Sequence, residues 1–541
     1  MQLTSTGKKT IMIKTLVTTS LLLLSLLLSL SAFSSPFSIG DDGNLIYHPD
    51  SNGNIIPDFS HSGYQKSEKP IPTVPVVLSI APIAGDNTQH IQNAVNQVAA
   101  MPLDENGFRG TILLQRGTYS VSGQILIDES GIVLRGEGQT DSDTVVIATG
   151  TSQRSLFLFE GNYQRDRVRE FTQAITDDYV PVGAYSFNVA DASDYHVGQD
   201  IFVVRPGNAT WISDIGMDQI PPRDDGREIR QWEAEDYDFD FERVITGISG
   251  NTITIDIPIV QMMETRYGGG EVYPVLITGR INNVGIENMM MVSQFQEGQI
   301  NSDEDHSWIA VEMDDLEHAW IRDITAYHFS YALASILDGA RFVTVSDSTN
   351  LDPASEIAGG RRYAFHLDGS LVLFLRCNAR NGRHDYITTS EVLGPNAFVY
   401  GTATETHSDI GPHVRWAMGT LYDNIKGGDL NAEDRNNFGS GQGWSGAQQV
   451  FWNTEGTGET AVQSPPGAIN WSIGHIGTRV EGRWPRPQGT WVSHGTKVSP
   501  ESLFVKQLEE RIGIVQAAMI LGLKSQTSYL PIIIDTVLSD E

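Results

Sequence analysis

The sequence predicts an all-β protein whose main body is a parallel β-helix. From residue 282 onward, apolar runs of three to five residues recur, each closed by Gly, Ser, Asp or Glu. Taking one equivalent position per run gives steps of 30, 25, 23 and 30 residues. The positions compared are Val343, Leu373, Phe398, Leu421 and Phe451. Short strands at such a period are typical of a solenoid, in which each turn buries its inner face against its neighbours.

Two alternatives to the solenoid are weaker. Helical periodicity is absent from this region, and the runs are too short and too rich in Gly and Asn for βαβ units. A β-propeller would also repeat short strands, but the uneven period disfavours it.

The chain begins with the pattern of a secretory signal peptide, which we assign to residues 1–35. Three lysines precede a long apolar run, and the small residues Ser34 and Ser35 follow it. Because the run is long enough to span a bilayer, a membrane anchor is the alternative. Cleavage of the leader predicts a secreted or periplasmic protein with no membrane contact afterwards.

Composition limits the classes of partner. The 541 residues include 67 acidic and 36 basic ones, and removing the three leader lysines leaves 33 basic residues. Nucleic acids and anionic membranes need basic surfaces, so neither is expected as a partner. The single cysteine excludes an intrachain disulfide. This residue, Cys377, lies in the run LVLFLRC, which predicts a small core residue rather than a nucleophile.

The first part of the mature chain is predicted to contain an extension and a capping helix. Residues 36–80 are rich in Pro, Gly, Ser and Asp, and we expect them to drape over the surface. Residues 81–159 open with an amphipathic helix in DNTQHIQNAVNQVAAM, with Asp86 or Thr88 as its cap. Its apolar stripe consists of Ile91, Val95 and Val98. The first rungs of the β-helix follow this helix.

The remaining segments complete the predicted organisation. Residues 160–280 break the rhythm with alternating residues around turns such as 249–251, which predicts an inserted antiparallel β module. The β-helix then occupies residues 281–495. Residues 496–541 hold an amphipathic helix with Ser499 as N-cap and Pro500 in its first turn. Because the open end of a solenoid needs a cover, this helix is a candidate C-terminal cap.

One stretch resembles a known superfamily. DNTQHIQNAVNQV, followed by GTILLQRGTYSVSGQILIDESGIVLRGEG, is similar to the opening of the pectate-lyase-like β-helices. The resemblance covers residues 80–140 closely and residues 282–480 in style, and it implies a right-handed coil. That superfamily includes polysaccharide lyases, glycoside hydrolases, esterases, epimerases and phage tailspikes, so the reaction has to be argued from the site residues.

Cationic and titratable residues concentrate in the central rungs. Seven of the thirteen histidines lie between His306 and His413, and residues 359–384 hold five arginines against the single acid Asp368. Aligning the second strand of each rung places the candidates on one ridge or along its border, with neighbouring rungs about 4.8 Å apart. The predicted catalytic residues are His384, His413, Arg415, Tyr363 and Arg362. The predicted substrate-binding residues are Arg361, Arg383, His366, Asp385, His407, Trp416 and Trp444.

These residue types suit β-elimination of a polysaccharide that contains uronic acid. Arginine neutralises the sugar carboxylate, histidine removes the adjacent carbon-bound proton, and tyrosine protonates the leaving oxygen. No lysine lies between Lys69 and Lys426, so the lysine base of some β-helix lyases is not available from the central rungs. The assigned roles are His384 or His413 as base, Tyr363 as acid, and Arg362 and Arg415 as neutralisers.

Other functions remain open at this point. A β-helix glycoside hydrolase would need two carboxyl groups, which Asp314, Asp315, Asp323, Asp385 and Asp409 could supply. A non-catalytic glycan-binding solenoid could stack sugars on Trp416, Trp444, Trp452 and Trp471. A purely structural solenoid would use the ridge residues as stacking ladders. We expect a monomer with no cofactor, although the acidic run 301–305 offers a calcium site without EF-hand spacing.

Overall fold

The chain coils into a parallel β-helix, as the period predicted. The computed structural model describes residues 35–522. The predicted signal peptide, apart from its last residue, and the end of the 496–541 tail lie outside that range. Successive rungs pair in parallel, whereas propeller blades are antiparallel, so the propeller alternative is wrong. Within residues 35–522, no helix is long and apolar enough to cross a membrane.

Three parallel sheets form the faces of the coil. Sheet 1 contains Val76–Ile80, Gly110–Leu114, Ile132–Arg135, Ile281–Ser293, Leu316–Tyr327, Arg341–Ser346, Leu373–Leu375, Asn396–Val399, Thr420–Asp423, Val450–Trp452, Trp471–Ile473 and Thr490–Val492. Sheet 2 contains Gly117–Val121, Thr144–Ala148, Thr349–Leu351, Asn378–Arg380, Thr402–Thr404, Lys426–Gly427, Leu430–Ala432, Glu455–Val462 and Ile476–Arg479. The C-terminal ends of the long strands Ile281–Ser293 and Leu316–Tyr327 also belong to sheet 2. Sheet 3 contains Ile125–Ile127, Ser155–Glu160, Ile309–Asp314, Ala332–Ile336, Phe365–Leu367, Tyr386–Thr388 and Gly411–Pro412.

An aromatic ladder fixes the register inside the coil. Phe374, Phe398, Tyr422 and Phe451 stack with ring centroids 4.6, 5.4 and 4.9 Å apart. They pair directly along sheet 1, and Val345 precedes them in the same row. Offset stacking adds to the hydrophobic gain of burying each ring, so a slipped rung would lose both.

The predicted period was close, but three of its anchors were misplaced. The equivalent positions are Val345 in place of Val343, Phe374 in place of Leu373 and Tyr422 in place of Leu421. Phe398 and Phe451 are as predicted. The reason is that these strands, which are three to six residues long, are buried on both faces: Leu373 and Leu375 are also covered. Alternation then does not reveal which residue points inward.

The α-helices lie at the beginning, in the insertion and at the end of the described chain. They are α1 (Thr88–Ala99), α2 (Ala209–Asp214), α3 (Leu503–Ile512) and α4 (Ile514–Leu521). Short 3₁₀ turns occur at Tyr64–Ser67, Arg169–Phe171, Ala234–Asp236 and Thr265–Tyr267.

Helix α1 covers the first rungs, as predicted. Its stripe of Ile91, Val95 and Val98 is fully buried in the core of the coil. The N-cap position is Asn87, one residue from the predicted choices. Asp86 nevertheless stabilises the helix start, because its Oδ1 accepts the main-chain N–H of Thr88 at 3.1 Å.

The C-terminal helix exists, but it does not begin where predicted or lie across the last rung. Its N-cap is Ser502, whose hydroxyl accepts the N–H of Val505 at 3.1 Å. The side chain of Asp423 in turn accepts the Ser502 hydroxyl and the N–H of Phe504. Helix α3 therefore packs along the side of the coil, and the predicted cap at residue 499 is wrong because a buried carboxylate favours the later start.

The N-terminal segment divides into two parts. Residues 35–50 form a compact unit of their own, with an antiparallel hairpin of Phe37–Ile39 and Leu45–Tyr47. Residues 51–75 are more deeply packed than the expected surface extension. Phe59 is fully buried, and Tyr64 meets Trp320 edge-on at 5.3 Å on the outside of sheet 1.

The inserted module is antiparallel, as predicted. Its main sheet contains Gln164–Arg167, Gln173–Ala174, Ser186–Asn188, Asp200–Arg205, Phe239–Ser249, Thr252–Ile255 and Glu271–Thr278, and Tyr179–Val180 pairs with Met263–Glu264. Ser249 pairs with Thr252 across the two-residue turn that the sequence predicted at 249–251. Gly250 has a φ of 60°, which glycine adopts without steric cost.

Two tryptophans of the coil belong to the core of this module. Trp416 and Trp444 flank the strand pair Ala417–Met418 and Gly446–Ala447, and both are 1% exposed. Trp416 meets Trp211 edge-on at 4.9 Å and donates its indole N–H to Gln261 at 3.0 Å. The module is therefore anchored on the coil by aromatic side chains that the coil provides.

Replacing one of these anchors should destabilise the protein strongly. We expect Trp416→Ala to lower the free energy of unfolding by about 3–5 kcal/mol, because it leaves a cavity and an unpaired Gln261. Leu276→Ala is the control, since Leu276 is 59% exposed and should change stability by no more than about 0.5 kcal/mol. Urea unfolding followed by tryptophan fluorescence measures both, and equal midpoints for the two variants would contradict the anchoring role.

Candidate active site

Titratable side chains from three successive rungs come together at the strands of sheet 3. Tyr363 and His384 lie just before their strands, and His413 lies just after its strand. Phe365 pairs with Tyr386, so Tyr363 and His384 occupy equivalent positions two residues earlier on adjacent rungs. Ile387 pairs with Gly411, which brings the next rung and His413 alongside. The rung register thus brings together three predicted catalytic residues that are up to fifty positions apart in sequence.

These residues border an open cleft of about 510 Å³. That volume lies in the range of small-ligand sites and has room for sugar units. Its lining comprises Tyr331, Gly359, Gly360, Tyr363, Arg383, Thr389, His413, Val414, Arg435, Phe438, Gly439 and Gln442. Of the predicted site residues, Tyr363, Arg383 and His413 therefore line one cleft, and His384 lies behind His413 with ring centroids 4.2 Å apart.

Asp409 fixes the tautomer of His384. The Nδ1 atom of His384 lies 2.7 Å from the main-chain oxygen of Asp409 and 3.3 Å from its Oδ1. A carbonyl oxygen only accepts, so Nδ1 carries the proton and Nε2 carries the lone pair in the neutral ring. Nε2 is buried and has no hydrogen-bond partner among residues 35–522. His384 therefore presents a free basic nitrogen inside the protein.

Both histidines are neutral near pH 7. Burial lowers the pKa of His384 to about 4, in spite of the neighbouring Asp409 carboxylate. Burial also holds the pKa of His413 well below its usual value, and the charges of Arg435 and Arg383 act in the same direction. Neutral imidazoles are the form that accepts a proton, so the pair suits a general base.

Arg435 is a central residue that the sequence did not single out. Its Nη1 donates to Oδ2 of Asp409 at 2.7 Å, and its Nε donates to Gln442 at 2.8 Å. Although burial alone would raise the pKa of Asp409, the charge of Arg435 keeps this carboxyl ionised. The sequence alignment placed the segment around Trp444 on the rung that follows His413. In the structure Ile410 pairs with Leu430 instead, so the alignment did not bring Arg435 to the site. The short segment after Leu430–Ala432 then reaches the cleft.

Tyr363 lies close to both histidines and to Arg383. Its ring centroid is 5.5 Å from that of His384 and 6.2 Å from that of His413. Burial raises the pKa of Tyr363, and the nearby Arg383 guanidinium partly opposes that rise. The phenol is consequently a proton donor whose conjugate base would lie beside a cation.

His366 belongs to the layer beneath this cleft. Its Nδ1 is 2.9 Å from the Ser335 hydroxyl, and its Nε2 is 3.4 Å from Oδ2 of Asp368. Tyr331 meets the imidazole edge-on at 5.1 Å. Burial lowers the pKa of His366 to about 3. The predicted substrate contact is thus replaced by support for the aromatic side chains of the cleft.

Arg361 and Arg362 lie outside the cleft lining. Arg362 is fully buried and donates Nη2 to Ser355 O at 2.7 Å and to Asn301 at 2.8 Å. It therefore holds main chain together, and its predicted role as a charge neutraliser has no contact with the cleft. Arg361 forms an ion pair with Glu304, which belongs to the acidic run 301–305 named above as an alternative calcium site.

Three more predicted residues also lie apart from the cleft. Arg415 lines a neighbouring pocket with Glu391 and donates to the Ser440 hydroxyl at 2.9 Å. His407 is exposed and lies 2.6 Å from Oδ1 of Asn381. Asp385 is fully buried, and neither carboxyl oxygen has a hydrogen-bond partner among the described residues.

The tryptophans do not offer a stacking surface for sugars. Trp416 and Trp444 are buried in the module core, where Trp444 donates to Ile215 O at 3.0 Å. Trp452 and Trp471 are also at most 3% exposed. Because both rings are covered in the module core, Trp416 and Trp444 present no face to a sugar, and their predicted substrate-binding role has no contact with the cleft.

Three of these residues also form a set that could hold a metal ion. His384, Asp409 and His413 each place one nitrogen or oxygen within 4.8 Å of the others. Zinc and other transition metals accept such donors. However, Arg435 already binds Asp409, and Arg383 faces the same space, so two positive charges oppose a cation here. The charge balance favours proton transfer and an anionic ligand.

Comparison with known proteins provides little beyond the chain's own geometry. No family model matches the sequence, and no curated protein matches it. Solved structures that match this one include the tailspike protein gp49 from Pseudomonas phage LKA1, at 13% sequence identity and a TM-score of 0.40. This match covers 71% of the present chain and 55% of the tailspike chain, so the matched region spans little more than half of that protein.

Two solved enzymes match at a similar level. Alginate lyase from Paenibacillus sp. str. FPU-7 is 9% identical with a TM-score of 0.39, covering 78% of this chain and all of that one. Polygalacturonase from Erwinia carotovora ssp. carotovora is 9% identical with a TM-score of 0.34, covering 79% and 98%. At such low similarity, no activity is transferred to this chain from any of them.

The unpaired carboxyl of Asp385 predicts a pH-dependent stability. Burial raises its pKa from 3.8 to about 7. The folded state thus holds a proton that the unfolded state releases, so this group lowers the free energy of unfolding progressively as the pH rises from 3.8 to about 7. Asp385→Asn removes this effect, and we expect the variant to gain about 2–4 kcal/mol over the wild type between pH 4 and pH 8.

Urea unfolding at pH 4, 6 and 8 measures that difference. Asp141→Asn serves as the control because Asp141 is exposed. If Asp385→Asn and the wild type lost stability equally between pH 4 and pH 8, the carboxyl of Asp385 would have a partner that neutralises it.

Proposed function

We propose that this protein is a secreted polysaccharide lyase that cleaves an acidic polysaccharide containing uronic acid by β-elimination. The observation that carries the proposal is the grouping of Tyr363, neutral His413 and two arginines around one cleft. These are the three kinds of group that elimination next to a carboxylate requires. The fold supplies repeated rungs along which a polymer can lie.

The base in this proposal is His413, because it faces the cleft. It removes the proton from the carbon next to the sugar carboxylate, and the C–H electron pair becomes the new carbon–carbon double bond. His384 is a positioning residue that packs against His413 on the side away from the cleft. Its Nδ1 lies 2.7 Å from the main-chain oxygen of Asp409, and its Nε2 lies on the opposite edge of the ring. The low pKa of both rings keeps the base unprotonated at neutral pH.

The acid is Tyr363. As the bond to the glycosidic oxygen breaks, the phenol donates its proton to that oxygen, and the resulting phenolate lies beside the Arg383 guanidinium. Solvent then returns a proton to the phenolate and takes one from His413. The products are one chain with a new reducing end and one with an unsaturated uronate.

The neutralisers are Arg383 and Arg435 rather than the predicted Arg362 and Arg415. Both line the cleft, and Arg435 is held by Asp409 in a fixed direction. A guanidinium beside the sugar carboxylate lowers the cost of forming the enolate-like anion, and preorganised charge of this kind is commonly the largest single catalytic contribution.

Glycoside hydrolysis is a second candidate, favoured by carboxyl groups in a neighbouring cleft. Asp338, Asp368 and Glu391 line a space between the coil and the inserted module. Burial, together with Asp338, raises the pKa of Asp368 to about 7, which suits a general acid. Hydrolysis with two carboxyl groups also requires a carboxylate that activates water, and Asp338 is the candidate for that role in this space.

A panel of polymers separates the candidates. We expect incubation with alginate, polyglucuronate, polygalacturonate, ulvan or chondroitin sulfate to produce the ultraviolet absorbance of an unsaturated uronate for at least one polymer. His413→Ala should lower turnover by about 10²–10⁴-fold, the usual contribution of a general base, and His384→Ala should also lower it. Both variants should keep the unfolding midpoint close to that of the wild type.

His90→Ala is the matched control, because His90 lies half-buried on α1, far along the coil from the cleft. Full activity of both cleft variants would overturn the assignment. New reducing ends without ultraviolet absorbance would favour the hydrolase, and Asp368→Asn should then abolish them. A repeat in the presence of EDTA tests whether the His384, Asp409 and His413 set needs a metal ion.

A further inference from the structure

An exposed aromatic side chain stands at the mouth of the proposed active site. Phe438 lines the cleft and is 36% exposed. Single exposed apolar residues are common on protein surfaces. This one differs because it lines the cleft together with Arg383, His413 and Arg435, and because the predicted tryptophan platforms are all buried.

Two guanidinium groups flank the ring. The Arg435 guanidinium carbon lies 6.0 Å from the ring centroid, and that of Arg483 lies 5.2 Å from it. Arg483 also pairs with Glu433 at 3.2 Å and is about one third exposed. An apolar face between two cations suits a ring that has one apolar face and a carboxylate at its edge, which describes a uronic acid unit.

The inserted module holds the loop that carries Phe438. Arg230 donates its main-chain N–H to Ser440 O at 2.9 Å, and Arg223 donates Nη1 to Asn437 O at 3.1 Å. Asn437 in return donates its side-chain amide to Pro222 O at 3.0 Å. Contacts on both sides of Phe438 thus fix the loop through the module, while the ring itself lines the cleft.

We propose that Phe438, flanked by Arg435 and Arg483 and held by the inserted module, forms a sugar-stacking subsite for the uronic acid unit next to the cleaved linkage. This inference rests on the proposed function for its position relative to the cleaved bond. The binding itself needs only an anionic polysaccharide. The acidic segment 222–236 of the module is then a support that positions a specificity-determining residue, since it contacts the loop rather than the sugar.

The first test measures polymer binding, with His413→Ala added to the wild type and to every variant so that the polymer stays intact. The wild type, Phe438→Ala, Phe438→Trp and Ile476→Ala are run on native gels that contain alginate, polyglucuronate or polygalacturonate. We expect at least one polymer to retard the wild type and Phe438→Trp, and Phe438→Ala to bind that polymer about three- to tenfold more weakly, the contribution of one aromatic contact. Ile476, which is 39% exposed and does not line the cleft, is the control.

The second test uses the polymer that the wild type cleaves. Phe438→Ala should raise KM by a similar factor with a smaller change in kcat, and Arg223→Ala should raise KM in the same direction because the loop loses one support. Circular dichroism checks that the module stays folded in Arg223→Ala.

The outcomes distinguish the two proposals. Retardation of Phe438→Ala equal to that of the wild type, or no retardation of the wild type by any of the polymers, would overturn the subsite. Retardation that depends on Phe438 without any cleavage would support the subsite and overturn the lyase function for these polymers. Cleavage that is unaffected by Phe438→Ala would support the lyase and overturn the subsite.

Discussion

The register between successive rungs is the constraint on which the rest of this structure depends. Phe374, Phe398, Tyr422 and Phe451 stack inside the coil at 4.6–5.4 Å, and the parallel ladder of sheet 1 runs through the same residues. A slip of one residue would expose rings and bury polar groups at once. Because the rungs cannot slip, Tyr363, His384 and His413 meet although three separate turns of chain carry them.

Charge is organised around Asp409 within an otherwise acidic protein. Its carboxylate binds Arg435 on one oxygen, and its main chain orients His384. The buried anion therefore serves two purposes: it fixes the direction of a guanidinium and the tautomer of an imidazole. The cleft combines neutral bases with positive charge, although the chain as a whole has 67 acidic residues against 36 basic ones. This local exception supports an anionic substrate.

The inserted module contributes to the site without entering it. Aromatic rings of the coil, Trp416 and Trp444, lie in the module core, and the module in turn holds the loop that carries Phe438. The module contacts Asn437 and Ser440, on either side of Phe438, so its loss would free a loop that lines the cleft.

The sequence by itself determined the coil, α1, the antiparallel insertion and the approximate period, because these depend on local alternation and spacing. It also selected His384, His413, Tyr363 and Arg383 by residue type, and the structure brings these four together in and behind one cleft. Only the tertiary structure decided which neighbours they have. Arg435 lines the cleft because Leu430 pairs with Ile410 on the neighbouring rung. Arg362 and the tryptophans are buried outside the cleft lining. Where both faces of a short strand are buried, the direction of each side chain is set by the surrounding rungs and not by its own sequence.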